Sequence, residues 1–140
     1  MKYRTLGSSG LIVSRITLGT MTFGAPDWGC DEKTSHAILK KYIEMGGNHL
    51  DAADVYAGGK AEEIIGGFMT QMNRDEMIIA SKCYFPMGQT PNRQGLSRKH
   101  IVSSCEASLK RLKTDYLDLY YLHGPDPITS LEETLRAMDD

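Results

Sequence analysis

The sequence predicts an α/β fold of the (β/α)8, or TIM, barrel type, of which these 140 residues supply about the first four βα units behind a small N-terminal β-hairpin. Three observations lead there. Short apolar runs suited to buried strands alternate four times with amphipathic helical stretches, at spacings of roughly thirty to forty residues, which is the layout of parallel βαβ units. That alternation by itself admits an open doubly wound sheet as well as a barrel. The Gly-x-Gly-x-x-Gly turn usual in an open nucleotide-binding sheet is absent after the first strand, where Gly19 and Gly24 enclose Thr20-Met21-Thr22-Phe23. Finally, Asp51, Lys82 and His123 each fall at the C-terminal end of a different strand, on the rim where a barrel assembles its active site.

Along the chain, YRTLGSSGLIVSRITLG places Ser8-Ser9-Gly10 between two short extended runs and predicts a hairpin that plugs or caps the sheet. Ile16 to Leu18 is the first core strand, ended by the glycine-bearing loop to Gly24. A helix follows from Asp31, with Glu32 in its first turn, Ile38, Tyr42 and Met45 as its inward face, and Gly46-Gly47 as its stop. Asn48 to Ala53 forms the second strand, and the loop DVYAGGK leads to a helix carrying Ile64, Ile65 and Phe68. Met77 to Ser81 is the third strand. After a loop bearing Pro and Gly, Ser97 caps a helix with Ile101, Cys105, Ser108, Leu109 and Leu112 inward. Leu117 to Leu122 is the fourth strand, and a last helix starts near Thr129-Ser130 with Leu131, Leu135 and Met138 on one face. Residues 1–140 are expected to form a single domain.

Composition narrows the partners. With 41% apolar residues and a formal charge of -2, the chain can bury a core. Its charges are interspersed, which speaks against nucleic-acid and polybasic membrane binding and in favour of small molecules. No signal-length or transmembrane-length apolar run occurs, so a cytoplasmic protein is expected. Cys30, Cys83 and Cys105 are odd in number and widely spaced, which predicts reduced thiols rather than a disulfide framework or a zinc site, and no metal is expected.

Taken singly, an Asp after a strand is commonly a cap, a lysine a solvated charge and a histidine a satisfied polar group. Strand ends on one rim converge, however, and Tyr56 stands five residues beyond Asp51 on the same loop. At these residues the chain resembles the aldo-keto reductases, NADP(H)-dependent carbonyl reductases on a (β/α)8 barrel. The resemblance covers the whole chain. It rests on YRTLGSSGLIVSRITLGTMTFG, LDAADVY, IIASK, GLSRKHI, SLKRLKTDYLDLYYLHGPD and SLEETL, in that order.

The resemblance implies that Tyr56 is the general acid, that Lys82 and Asp51 tune it, and that His123 orients the substrate carbonyl. The physics agrees: a free phenol titrates near ~10 and is a poor donor at neutrality unless a cation stabilises its anion. Lys82 is that cation, and the Asp51 carboxylate keeps it charged. Gly19, Thr20, Met21 and Asp51 are implied beside the nicotinamide ribose, and the substrate is implied to be a small carbonyl compound. The loop from Tyr84 to Leu96 is expected to overhang the pocket, with Trp28, Tyr84 and Phe85 as apolar walls. Departures from the family pattern are Ala52, Ala61 and Gly124, the last bearing on the shape of the carbonyl pocket. His36, His49 and His100 match no catalytic position and are expected on the surface or in packing.

A barrel of this kind typically needs about 250 residues, so the chain is expected to be the N-terminal half of one. The resemblance assigns the carboxamide contacts, the stacking aromatic and the phosphate clamp to strands five to eight. A truncated product, a piece of a longer enzyme and a half-barrel that self-associates through its exposed sheet edges all fit. The alternative function is an inactive fragment or half-barrel serving as an NADP-binding or protein-interaction module, as in the related potassium-channel β subunits.

Overall fold

The hairpin forms as predicted: β1 (Tyr3–Thr5) pairs antiparallel with β2 (Ile12–Ser14), Tyr3 opposite Ser14 and Thr5 opposite Ile12. It stands apart from the main sheet in the computed structural model, which describes residues 1–140. The main sheet has four parallel strands, β3 (Leu18–Gly19), β4 (His49–Asp51), β5 (Ile78–Cys83) and β6 (Leu119–Leu122), in the spatial order β3-β4-β5-β6. Each strand therefore lies beside its sequence neighbour. A barrel segment has this order, whereas a doubly wound sheet reverses direction about its first strand.

The crossovers are α1 (Glu32–Glu44), α2 (Lys60–Met69) and α3 (Arg98–Leu112), and α4 (Leu131–Asp139) follows β6. Three begin on side-chain caps: Asp31 accepts the Thr34 N–H at 2.8 Å, Ser97 that of His100 at 3.3 Å and Ser130 that of Glu133 at 3.2 Å. Leu39 of α1, Leu50 of β4, Ile65 of α2, Ile79 of β5 and Leu112 of α3 are fully buried between helices and sheet. Truncating any of them to alanine is expected to cost about 2–5 kcal/mol.

The helix faces differ from expectation by one step. In α1 the buried stripe is Ser35, Leu39 and Tyr42, while Ile38 and Met45 are 37% and 56% exposed. In α4, Thr134 and Ala137 are buried and Leu131 and Leu135 face outward. Small hydroxyl residues go inside because their own bonds satisfy them: Ser35 donates to the Asp31 carbonyl at 2.7 Å and Thr134 to that of Leu96 at 3.0 Å. In α3, His100, Ile101, Ser104, Ser108 and Leu112 are buried, while Cys105 is partly exposed. Helices α2 and α3 touch through backbone at Gly66, where a Cβ would lie 2.2 Å from the Arg111 carbonyl oxygen.

The strand boundaries also move. Ile16 is exposed and β3 starts at Leu18, because the Ile16 carbonyl is taken by the Tyr42 hydroxyl at 2.7 Å instead of by a strand neighbour. Strand β5 runs on to Cys83, so Lys82 lies within it. The hairpin is seated at the N-terminal end of the sheet, where the Ser14 N–H donates to Asn48 Oδ1 at 2.7 Å and the Asn48 amide donates to the Ile12 carbonyl at 3.1 Å. The opposite end is left uncovered.

Candidate active site at the strand ends

Register builds the cluster. Gly19, Asp51 and Ala80 pair across β3, β4 and β5, and Lys82 pairs with Tyr121 one pleat higher, so Asp51 and Lys82 project on the same side of the sheet at its C-terminal end. The Lys82 ammonium donates to Asp51 Oδ2 at 2.9 Å, to the Ala52 carbonyl at 2.7 Å and to the Tyr56 hydroxyl oxygen at 3.0 Å. Three acceptors match its three protons. Its side chain is 12% exposed and that of Asp51 32%, so the pair is half enclosed and the carboxylate stays open to the rim.

Tyr56 reaches Lys82 through an irregular turn. Ala57 and Gly58, with φ of 50° and 63°, adopt the left-handed conformation directly after it. In an alanine this conformation costs about 1 kcal/mol, and it directs the chain from the Tyr56 turn into α2. His123, just past β6, is anchored by its N–H to the Cys83 carbonyl at 3.0 Å. Its ring meets those of Tyr56 and Phe85 edge-on, with centroids 5.9 and 5.0 Å apart. Burial, and secondarily the Lys82 charge, lower the His123 pKa against the opposing pull of Asp51. The imidazole is therefore neutral at physiological pH. Its Nδ1 is enclosed without a partner.

The structure thus brings Asp51, Tyr56, Lys82 and His123 together. Of the other residues singled out in the sequence, Gly19 is exposed, with open space where a Cβ would point, and Met21 is 51% exposed on the rim. Thr20 differs: it is fully buried, and its hydroxyl and N–H both donate to the Asp51 carbonyl, at 2.9 and 3.0 Å. Its side chain braces Asp51 and is closed to a ligand. Phe85 lies against His123, and Tyr84 stacks edge-on behind Phe85 at 5.2 Å. Trp28 is 59% exposed and makes no aromatic contact with the cluster. Gly124 admits Tyr84, since a Cβ there would fall 2.6 Å from its ring. The departure at Gly124 therefore makes room for an aromatic side chain beside His123.

Sequence inspection missed several residues. Asp126 accepts the Leu96 and Ile128 N–H groups at 2.7 and 2.8 Å and the Thr129 hydroxyl at 2.8 Å, tying the β5 loop to the β6 loop. These bonds hold its carboxyl well below the usual carboxylate range. An Asp followed by Pro127 and Thr129 is a turn signal that could have disclosed it. Glu62, fully buried, accepts from Ser81 at 2.5 Å and Arg111 at 2.6 Å. Asp54 is fully buried beneath the Tyr56 turn with neither carboxyl oxygen bonded.

The remaining polar and thiol side chains are packed. His36 lies 3.1 Å from the Ile64 carbonyl, His49 2.9 Å from the Thr17 hydroxyl and His100 3.3 Å from that of Ser104. Burial pushes the Cys83 thiol up to about 11, which makes it a poor nucleophile. No helix is long and apolar enough to cross a membrane.

Comparison with known proteins agrees with this geometry. A probable voltage-gated potassium channel subunit beta of Oryza sativa subsp. japonica is 45% identical over 142 residues, covering 99% of this chain and 42% of that protein. The aldo-keto reductase YhdN of Bacillus subtilis is 38% identical over 142 residues, covering 100% of the chain and 43% of its own length. The crystal structure of a thermostable aldo-keto reductase, Tm1743, in complex with the inhibitor epalrestat superposes with a TM-score of 0.84 at 39% identity, over 99% of this chain and 48% of that one. The chain spans less than half the length of each of these relatives. The sequence profile of the Aldo/keto reductase family matches residues 15–140, and with strand order, register and rim cluster in agreement, the chain belongs to that family.

Proposed function

We propose that this chain carries the proton-transfer machinery of an NADP(H)-dependent reductase that converts an aldehyde or ketone to an alcohol. The observation that carries the proposal is the position of the Lys82 ammonium, 2.9 Å from Asp51 and 3.0 Å from the Tyr56 hydroxyl at once. Tyr56 delivers its proton to the carbonyl oxygen of the substrate. Lys82 stabilises the phenolate left behind, and Asp51 keeps Lys82 charged. His123, neutral, hydrogen-bonds the same oxygen as negative charge develops on it. Phe85 and Tyr84 form the apolar side of the substrate cleft.

The open carboxylate of Asp51, the bare backbone of Gly19 and the exposed Met21 suit the ribose and nicotinamide of the cofactor. When bound there, the nicotinamide supplies the hydride. The substrate is a small carbonyl compound, and the free thiols Cys30, Cys83 and Cys105 suit a reducing cytoplasm.

The test is Tyr56→Phe. Aldehyde reduction is expected to fall by about a hundredfold or more, with NADPH affinity, followed by its fluorescence, nearly unchanged. An unchanged rate would refute Tyr56 as the acid.

A second function, as a protein-interaction module, is favoured by the likeness to channel β subunits. In this second reading the partner is another protein chain, a second copy of this one included. A concentration-independent monomer in sedimentation would exclude self-association.

A further inference from the structure

The loop after β5, from Tyr84 to Leu96, closes on itself: the Gly95 N–H donates to the Tyr84 carbonyl at 2.8 Å and the Met87 N–H to the Arg93 carbonyl at 2.9 Å. The segment from His123 to Asp126 runs alongside and meets it repeatedly. The His123 N–H takes the Cys83 carbonyl at 3.0 Å, the His123 ring meets Phe85, Gly124 makes room for the Tyr84 ring, and Asp126 accepts the Leu96 N–H at 2.7 Å. Only Asp126 grips the far end of the loop. Its carboxylate is itself fixed by the Ile128 N–H and the Thr129 hydroxyl, both at 2.8 Å. Leu96 is held from a second side as well, since its carbonyl accepts the Thr134 hydroxyl at 3.0 Å and its side chain is buried in the small core with Cys83, Ile101 and Ala137.

Phe85 depends on this arrangement. Its ring is 40% exposed, with Tyr84 at 5.2 Å and His123 at 5.0 Å between centroids, and a side chain so little enclosed keeps its place only while its backbone does. That backbone is tied through the Tyr84 carbonyl to Gly95, the neighbour of Leu96. We propose that Asp126 is a positioning residue for the carbonyl pocket: by latching Leu96 it fixes Phe85 against His123, and so sets the affinity for the apolar group attached to the substrate carbonyl. The inference rests on the reductase reading, in which His123 holds the carbonyl oxygen and Phe85 borders the rest of the substrate. Asp126 bonds to none of Asp51, Tyr56, Lys82 and His123. A contact with a non-reacting part of the substrate is felt equally in ground and transition states, so losing it raises KM and spares kcat.

Asp126→Ala and Thr134→Val release Leu96 from its two sides, and each can be compared with the parent protein in NADPH-dependent reduction of benzaldehyde and of propanal. For Asp126→Ala the benzaldehyde KM is expected to rise about fivefold to tenfold, the worth of one aromatic edge contact. The propanal KM and both kcat values should stay within about twofold. Thr134→Val shifts the benzaldehyde KM the same way by a smaller factor, and Asp126→Asn, which keeps one acceptor oxygen, falls between alanine and parent. A role confined to folding would lower the rates with both aldehydes together and leave the ratio of the KM values alone. Imidazole NMR of His123 adds a readout free of turnover. Burial and the Lys82 charge lower its pKa against the pull of Asp51, so a loosened Phe85 should let it rise toward 6.5 in Asp126→Ala. An unmoved KM ratio, an equal change for both aldehydes, loss of kcat with KM intact, or an unmoved His123 titration would each overturn the proposal. Absence of reduction by the parent would instead sink the reductase reading itself, and this inference with it.

Discussion

The two ends of the parallel sheet treat their polar side chains in opposite ways. At the N-terminal end, Arg74 donates to Thr114, to the Met77 and Tyr116 carbonyls and to Asp118 at 2.6 to 3.1 Å, and lies 4.0 Å from the centroid of the Tyr116 ring. Asp118 also accepts the Ile79 N–H at 2.8 Å. At the C-terminal end, both Asp54 oxygens and His123 Nδ1 are enclosed without partners, and Asp51 remains partly open. The only such orphan outside that end is His49 Nε2, on the first residue of β4. Satisfied polar groups fix a structure, whereas unsatisfied ones cost stability and persist where binding or chemistry makes use of them. One end of this sheet satisfies its polar side chains internally and the other leaves several of them unpaired.

Lys82→Met should give the largest functional effect. We expect carbonyl reduction to fall by a factor of about a hundred or more, while urea unfolding changes by no more than ~1 kcal/mol because the abandoned Asp51 carboxylate reaches water. Arg74→Ala reverses the pattern. It strands Asp118, 15% exposed, without its cation and is expected to cost about 3 kcal/mol in the same unfolding experiment. Equal costs for the two variants would erase the contrast between the ends.

Asp54→Asn tests the rim from the other side. The folded-state pKa of Asp54 is raised from 3.8 to about 6, first by burial and then by Glu62, so the folded protein holds a proton that the unfolded chain has lost. Stability from this group is full below about pH 4 and declines as pH rises through 6. The asparagine variant should therefore be more stable than the parent by on the order of 2 kcal/mol at pH 8, with the gain vanishing near pH 4. A pH-independent difference would contradict the assignment. The smallest effect is expected from Ala57→Gly, which relieves the left-handed strain beside Tyr56 and should raise stability by about 1 kcal/mol or less.

Much of this architecture was legible residue by residue. The caps Ser97 and Ser130 act on N–H groups three residues away, so they show in a linear pattern. The Ser8-Ser9-Gly10 turn is equally local. The inward faces of α1 and α4 were not legible, since hydrophobicity favoured Ile38 and Leu131 while helix–sheet spacing selected Ser35 and Thr134. Glu62 and Arg111 are 49 residues apart and carry no local signal of their pairing. Trp28 and Phe85 look alike as loop aromatics, yet only Phe85 has His123 to pack against.

By itself the sequence determined the alternation of strands and helices, the absence of a dinucleotide turn, and the presence of Asp51, Tyr56, Lys82 and His123 at or just beyond three strand ends. Periodicity and residue chemistry suffice for that. Tertiary structure decided that Lys82 would bridge Asp51 and Tyr56, that Thr20 would turn inward as a brace, and that Asp54 would be buried apart from them. These outcomes depend on strand register and on contacts across 26 to 31 residues of chain. Such distances are set when the sheet packs, because no short segment contains both partners.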